Sequence, residues 1–280
     1  RPVPEGYKRV EWVKCDLRNP HEVKEVLKGV DIVMQFAATT TGAKDIISKP
    51  HIHVTDNAIM NSFLLRESFE QNVEHFIFPS CTIMYQKSDV ALKENDFNPS
   101  DELLPFYFGS GHTKVYLENM CKFYSNFGKT KHTVIRHSNV YGPHDKYDLE
   151  KSHVTGATIT KVMTSEDGKI NVWGTGEEAR DLLYVEDLIK FIDAATNKQT
   201  ENFELFNVGL GEGIKIKDLV HKIIECSGRN LEVVHDLSKP TIPTSLFLDC
   251  SRAKEKMDWK PEYTLEQGII NTLKWYRDNA

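Results

Sequence analysis

Short apolar runs and amphipathic stretches alternate along the first half of this chain, and that beat limits its fold more than any other feature. Residues 10–15, 31–37, 75–79 and 131–136 read as strands. Residues 20–27, 53–70 and 114–127 read as helices between them. Asn19 stands where a helix cap belongs, and Gly29 where a helix stops. Strand, helix, strand repeated in this way pairs strands in parallel and covers both faces with helices. The expected fold class is therefore α/β, a doubly wound parallel sheet of the Rossmann type. After Tyr141 the texture changes. Turns at 174–176 and 209–213, a strand at 231–234 and a terminal helix at 265–277 predict a smaller C-terminal α/β lobe, interwoven with the first part.

Composition narrows the function classes. The net charge of −6 over 280 residues gives no broad basic field, so nucleic acid is not an expected partner. The five cysteines are scattered, with no CxxC pair, which argues against a disulfide framework or a metal site and fits a reducing cytoplasm. No apolar run approaches the roughly 18 residues that a membrane span requires, and no signal peptide is evident. The opening Arg1-Pro2-Val3-Pro4 reads as the interior of a longer protein. No glycine-rich GxGxxG loop precedes Asp31, so the sheet is expected to lack its first strand, phosphate loop and helix. Gly209, Gly211 and Gly213 come too late for that role and read as a turn.

Several short motifs sit where strands end. Cys15-Asp16-Leu17-Arg18 and Phe36-Ala37-Ala38-Thr39 close two of them, and Pro79-Ser80-Cys81-Thr82-Ile83-Met84-Tyr85 follows a third. Phe106-Tyr107-Phe108-Gly109-Ser110-Gly111-His112-Thr113-Lys114 leads into a helix. Arg136-His137-Ser138-Asn139-Val140-Tyr141-Gly142-Pro143 leads out of a strand, and Ser152-His153-Val154 comes soon after. Trp173-Gly174-Thr175-Gly176 and Arg180-Asp181-Leu182 lie further on. Together these resemble the extended short-chain dehydrogenases of the NAD-dependent epimerase/dehydratase family, and among them most closely the GDP-L-fucose synthase-like group. The resemblance spans essentially the whole chain.

That resemblance implies an enzyme that uses NAD or NADP. It implies a nucleotide-diphosphate sugar, GDP-linked in the leading case, as the substrate, with epimerase/reductase chemistry at C4 and neighbouring carbons. Residues 1–141 would form the dinucleotide-binding domain without its first β-α-β portion, and 142–280 mainly the substrate lobe. Asp16, Leu17, Ala37, Ala38, Thr39, Ser80 and His137 would line the cofactor, with Lys114 holding its ribose. Asn139, His153, Trp173, Arg180 and Arg252 would hold the substrate. Arg180 would grip the diphosphate with its planar fork, and His153 would act as an acid in epimerisation. A homodimer, a cytoplasmic location and a place in polysaccharide biosynthesis are also implied.

Two departures from the family pattern matter. The place usually held by Ser or Thr beside the reacting oxygen is Cys81, with Thr82 after it. The family's catalytic Tyr precedes its Lys by four residues, but here that position is Ser110 and Tyr107 lies seven before Lys114. Either Tyr107 is brought in by a glycine-flanked, irregular helix start, or Ser110 or His112 substitutes, or hydride transfer is weakened. The alternatives are accordingly an NDP-hexose 4-epimerase with tightly held NAD, or a catalytically impaired nucleotide-sugar binding protein. No carboxylate pair follows Thr82, which argues against dehydratase chemistry.

Overall fold

A computed structural model describes residues 10–40, 43–149, 152–239 and 241–279. The first half contains α1 (Pro20–Val26), β1 (Ile32–Met34), α2 (Ala43–Ser48), α3 (Thr55–Glu70), β2 (His75–Pro79), α4 (Phe108–Ser125), β3 (Lys131–His137) and β4 (Asn139–Tyr141). The second half contains α5 (Val154–Thr164), β5 (Lys169–Trp173), β6 (Ala179–Arg180), β7 (Leu182–Tyr184), α6 (Val185–Lys198), β8 (Phe203–Val208) and β9 (Ile214–Lys215). It ends with α7 (Ile216–Ser227), β10 (Glu232–Asp236), α8 (Ser251–Met257) and α9 (Leu265–Asn279).

The central sheet has the order β1-β2-β3-β8, with every pair parallel. Side chains alternate across it as a strand requires. Phe76, Phe78 and Val134 pack to one side with Leu64, Leu65, Leu117 and Cys121 of α3 and α4. Ile77, Ile135 and Phe206 pack to the other, against Phe191, Met257 and Trp259. Each face is thus buried under helices, the arrangement that near-continuous apolar strands demand. A separate apolar cluster lies in the second half, where Ile159, Leu219, Ile223, Ile269 and Leu273 of α5, α7 and α9 meet Ile170 and Val172 of β5. β8 comes from the second half of the chain yet completes the central sheet, and α6 and α8 cover one of its faces.

Local chemistry explains most boundaries. The Asn19 side chain accepts from the His21 N–H at 3.1 Å, and Pro20 takes the first helical position, where its missing N–H costs nothing. Residues 10–15 form no strand, contrary to expectation. No strand among the described residues lies beside them, and an extended segment without a ladder partner satisfies none of its backbone groups. β1 is an edge, with Ile32 and Met34 exposed.

A polar layer is buried near the amino ends of β2 and β3. Thr133 donates its hydroxyl to Gln199 and accepts from His75 Nε2 at 2.7 Å, while His132 Nδ1 donates to the Thr130 carbonyl at 3.0 Å. Burial holds both imidazoles at pKa values of about 4, with Lys131 adding to the effect on His75. Both are neutral in the fold, whereas an unfolded histidine takes its proton near pH 6.5. Stability is therefore full above that value and falls as pH drops from 6.5 toward 4, by on the order of 3 kcal/mol per histidine. Urea midpoints measured from pH 7 to pH 4 check this, and His132→Leu should give a shallower loss. A flat profile in the parent would contradict it.

Candidate active site

The carboxyl ends of β1, β2 and β3 converge on one cleft, the place where open α/β sheets bind ligands. After β1, the exposed Ala37 and Ala38 lead to Thr39. This loop is pinned by Asn57 of α3, whose side-chain oxygen accepts from Thr39 N at 2.9 Å and whose amide donates to Thr39 O at 3.0 Å. Asn57 is thus a positioning residue, and small side chains are left facing the cleft.

Lys114 reaches the end of β2 from α4. Its Nζ donates to the Pro79 carbonyl at 2.8 Å and sits 4.7 Å from the centre of the Phe78 ring. Burial pulls its pKa down, and Cys81 and Glu118 oppose that shift. An ammonium has three N–H donors, and among the described residues only Pro79 takes one. A half-buried cation with donors to spare fits a ribose diol.

Ser80 and Cys81 point to opposite sides, as successive residues of an extended chain do. Ser80 is 1% exposed and donates to Glu118 Oε1 at 2.5 Å. Its hydroxyl is thus taken up inside the core by Glu118, not turned to the cleft. Cys81 is half-buried beside Lys114, and burial raises its thiol pKa. Thr82 follows, half-buried, its carbonyl opening the turn that ends at Tyr85 N.

Helix α4 begins at Phe108, earlier than the sequence pattern indicated. Tyr107 is the residue just before it, and Ser110 lies in its first turn, one turn ahead of Lys114. The flanking glycines are regular helix residues. A β-carbon on Gly109 would stand 2.8 Å from Val54 Cγ2, and one on Gly111 2.5 Å from Leu103 Cδ1. Close packing requires them, not the permissive backbone expected from sequence. The Ser110 hydroxyl turns back to the Tyr107 carbonyl at 3.3 Å. The Tyr107 phenol has Arg180 and Cys81 as its electrostatic neighbours, and burial pushes its pKa up to about 12. His112 is exposed and packs edge-on against Phe108.

His137 is the last residue of β3. It is half-buried, its Nδ1 lies 2.8 Å from the Ser138 carbonyl, and Lys114 and His153 are close enough to influence it. Asn139 is exposed and donates to the Asp181 carbonyl at 3.2 Å. His153 stands immediately before α5, exposed. Trp173 ends β5 with 40% exposure, and Lys161 Nζ lies 5.8 Å from its ring centre. Arg180 donates to the carbonyls of Ala179 at 2.9 Å, Ile242 at 2.7 Å and Thr244, so main chain from 242–244 holds its fork at the cleft.

Three further expected residues have partners within the protein. Arg252 pairs with Glu204, which is 2% exposed at the amino end of β8, and it lines a separate cavity of about 400 Å³ with Glu94, Lys122 and Arg136. It neutralises a buried carboxylate there. Asp16 is exposed and gripped by Arg18 through Nε at 3.0 Å and Nη2 at 2.9 Å. Leu17 packs against the α1–α3 side of the core.

Sequence reasoning missed Asp181. Fully buried, it accepts from the backbone N–H of Leu210 at 2.7 Å, Gly211 at 3.0 Å and Leu248 at 3.1 Å. It fastens two loops of the second half to the end of β3. The visible signal was Gly209, where a β-carbon would fall 2.6 Å from Asp181 Oδ2. Among the described residues no group of three or more His, Cys, Asp or Glu is placed to hold a metal ion. None of the described helices is long and apolar enough to cross a membrane.

Comparison with known proteins agrees with this geometry. The chain is 27% identical over 278 residues to GDP-L-fucose synthase of Sinorhizobium fredii, covering 95% of this chain and 86% of that protein. It is 28% identical to GDP-L-colitose synthase of Yersinia pseudotuberculosis, over 88% of this chain and 81% of that protein. Among solved structures, UDP-glucose 4-epimerase of Thermotoga maritima with UDP-glucose superposes with a TM-score of 0.83 at 25% identity. That match covers 95% of this chain and 84% of that one. The family model for the NAD dependent epimerase/dehydratase family matches residues 2–209, and the chain belongs to that family.

Proposed function

We propose that this protein is an NAD(P)-dependent epimerase/reductase that exchanges hydride at C4 of a nucleotide-diphosphate sugar, GDP-linked in the leading case. One observation carries the reading: the ammonium of half-buried Lys114 is held at the carboxyl end of the sheet with donors that no described residue takes, beside a half-buried thiol and imidazole. Bound there, the nicotinamide supplies hydride exchange. Lys114 orients its ribose, and the Ala37–Ala38 turn lets the cofactor lie against main chain. Arg180 and Trp173 face the nucleotide, and Asn139 and His153 the sugar. The GDP-L-fucose and GDP-L-colitose synthases among the relatives support the guanine-linked sugar.

Saturable NAD(P)H oxidation with a GDP-4-keto-6-deoxy sugar is the expected result. Absence of any nicotinamide binding by the full-length protein would refute the reading. Release of bound NAD on denaturation, without net redox turnover, would select a 4-epimerase instead. The exposed Tyr116, Phe123 and Phe127 on and just after α4 support a homodimer. Light scattering should return twice the chain mass, and a monomer would remove that assignment. The scattered, unpaired cysteines suit a cytoplasmic enzyme of polysaccharide biosynthesis.

A further inference from the structure

The polar groups around Lys114 share a property that limits which of them can take a proton. The Cys81 thiol is raised by burial and the Tyr107 phenol stands at about 12, so both keep their protons at neutral pH. The Ser110 hydroxyl is turned onto the Tyr107 carbonyl. His137 differs. Its Nδ1 lies 2.8 Å from the Ser138 carbonyl, which has no proton to give, so Nδ1 must be the protonated nitrogen. Nε2 is then left with its lone pair and has no hydrogen-bond partner among the described residues.

The strand register places this lone pair near the chemistry. Pro79 of β2 is level with Ile135 of β3. Two residues beyond that level, His137 ends β3, and Cys81 stands in the segment that follows β2. Lys114, bonded to the Pro79 carbonyl, and His153 both lie within electrostatic reach of His137.

We propose that His137, through Nε2, is the base that takes the sugar hydroxyl proton as that carbon gives up its hydride, and that returns the proton in the reverse direction. This rests on the function proposed above. In the oxidation, the C–H bond breaks with its electron pair passing to the oxidised nicotinamide. The O–H bond breaks with its proton passing to Nε2, and the carbonyl forms. The sugar carbon is oxidised, the nicotinamide is reduced, and the imidazole becomes imidazolium. Burial, with Lys114 and His153 nearby, holds the His137 pKa at about 4. The ring is thus unprotonated at neutral pH, and its imidazolium readily gives the proton back in the return step. The position taken by Tyr in the family pattern is Ser110 here, so a residue from β3 takes over a task expected of α4.

The test uses the full chain and two variants. His137→Gln should lower kcat by about 100-fold or more while NAD(P)H affinity, read by fluorescence, stays within about threefold. Added imidazole should restore turnover to His137→Gly, which a structural role would not permit. A His137→Gln enzyme with kcat within about threefold of the parent overturns the proposal. If either variant fails to fold, nitrogen-15 spectra of the unaltered protein decide: an unprotonated Nε2 supports the assignment and a protonated Nε2 overturns it. Failure of the unaltered protein to bind nicotinamide sinks the function itself. Binding with normal turnover in His137→Gln sinks only the role of this side chain.

Discussion

Glu118→Ala is expected to lose about 3–5 kcal/mol of unfolding free energy, because it strands a buried charge. Arg136 is 4% exposed and Glu118 5%. The guanidinium donates to Glu118 through Nη2 at 2.6 Å and through Nε at 3.1 Å. Its Nη1 donates to Tyr85 Oη at 2.9 Å and to the Glu94 carbonyl at 3.1 Å. Tyr85 in turn donates to Asn207 at 2.8 Å, and Ser80 donates to Glu118. The network thus ties β2, α4, β3 and β8 together behind the cleft. Removing the carboxylate leaves Nε and Nη2 of Arg136 and the Ser80 hydroxyl without their acceptor, and the buried guanidinium without its counter-charge. Against a total stability of about 5–15 kcal/mol, that is a large fraction. Urea denaturation measures it, and a change under about 1 kcal/mol would contradict the account. Replacing both partners by Met should cost less than Glu118→Ala alone, since no unpaired charge then remains.

Lys114→Met should fold at least as well as the parent and bind nicotinamide far more weakly. The ammonium pays a burial cost that Met does not, and the apolar stem over Phe78 is kept. A charge-assisted hydrogen bond to a ribose is worth about 1.5–3 kcal/mol, so NAD(P)H affinity should fall about 10- to 100-fold. Turnover should fall further, by about 100-fold or more in kcat/KM, because the cofactor is no longer held in register with the sugar. Fluorescence titration and steady-state kinetics separate the two effects. Unchanged cofactor affinity in a folded Lys114→Met protein would show that this amine does not touch the ribose.

Much of the fold was legible in the chain because its signals are local. The alternation of Phe76, Ile77 and Phe78 announces a strand buried on both faces. Asn19-Pro20 announces a helix start through a bond only two residues long. Motifs at strand ends, such as 36–39, 79–82 and 136–139, are local too. A parallel sheet brings all such ends to one side, so the location of the cleft followed from the βα order alone.

Other features needed the tertiary structure, because their partners are far apart in sequence. Arg252 and Arg180 look equally suited to a diphosphate on paper. Glu204, 48 residues from Arg252, claims one of them for charge neutralisation. Ser80 and Cys81 are neighbours in the chain, yet Glu118, 38 residues away, draws the serine inward. Which nitrogen of His137 keeps its proton was decided by the direction in which the next carbonyl points as β3 ends. Hydrophobic period and turn chemistry are properties of a few consecutive residues, so the sequence by itself determined the α/β order and the side of the sheet that carries the site. The identity of the groups with free valence at that site depends on which distant charges and carbonyls packing brings against them, and only the folded chain decides that.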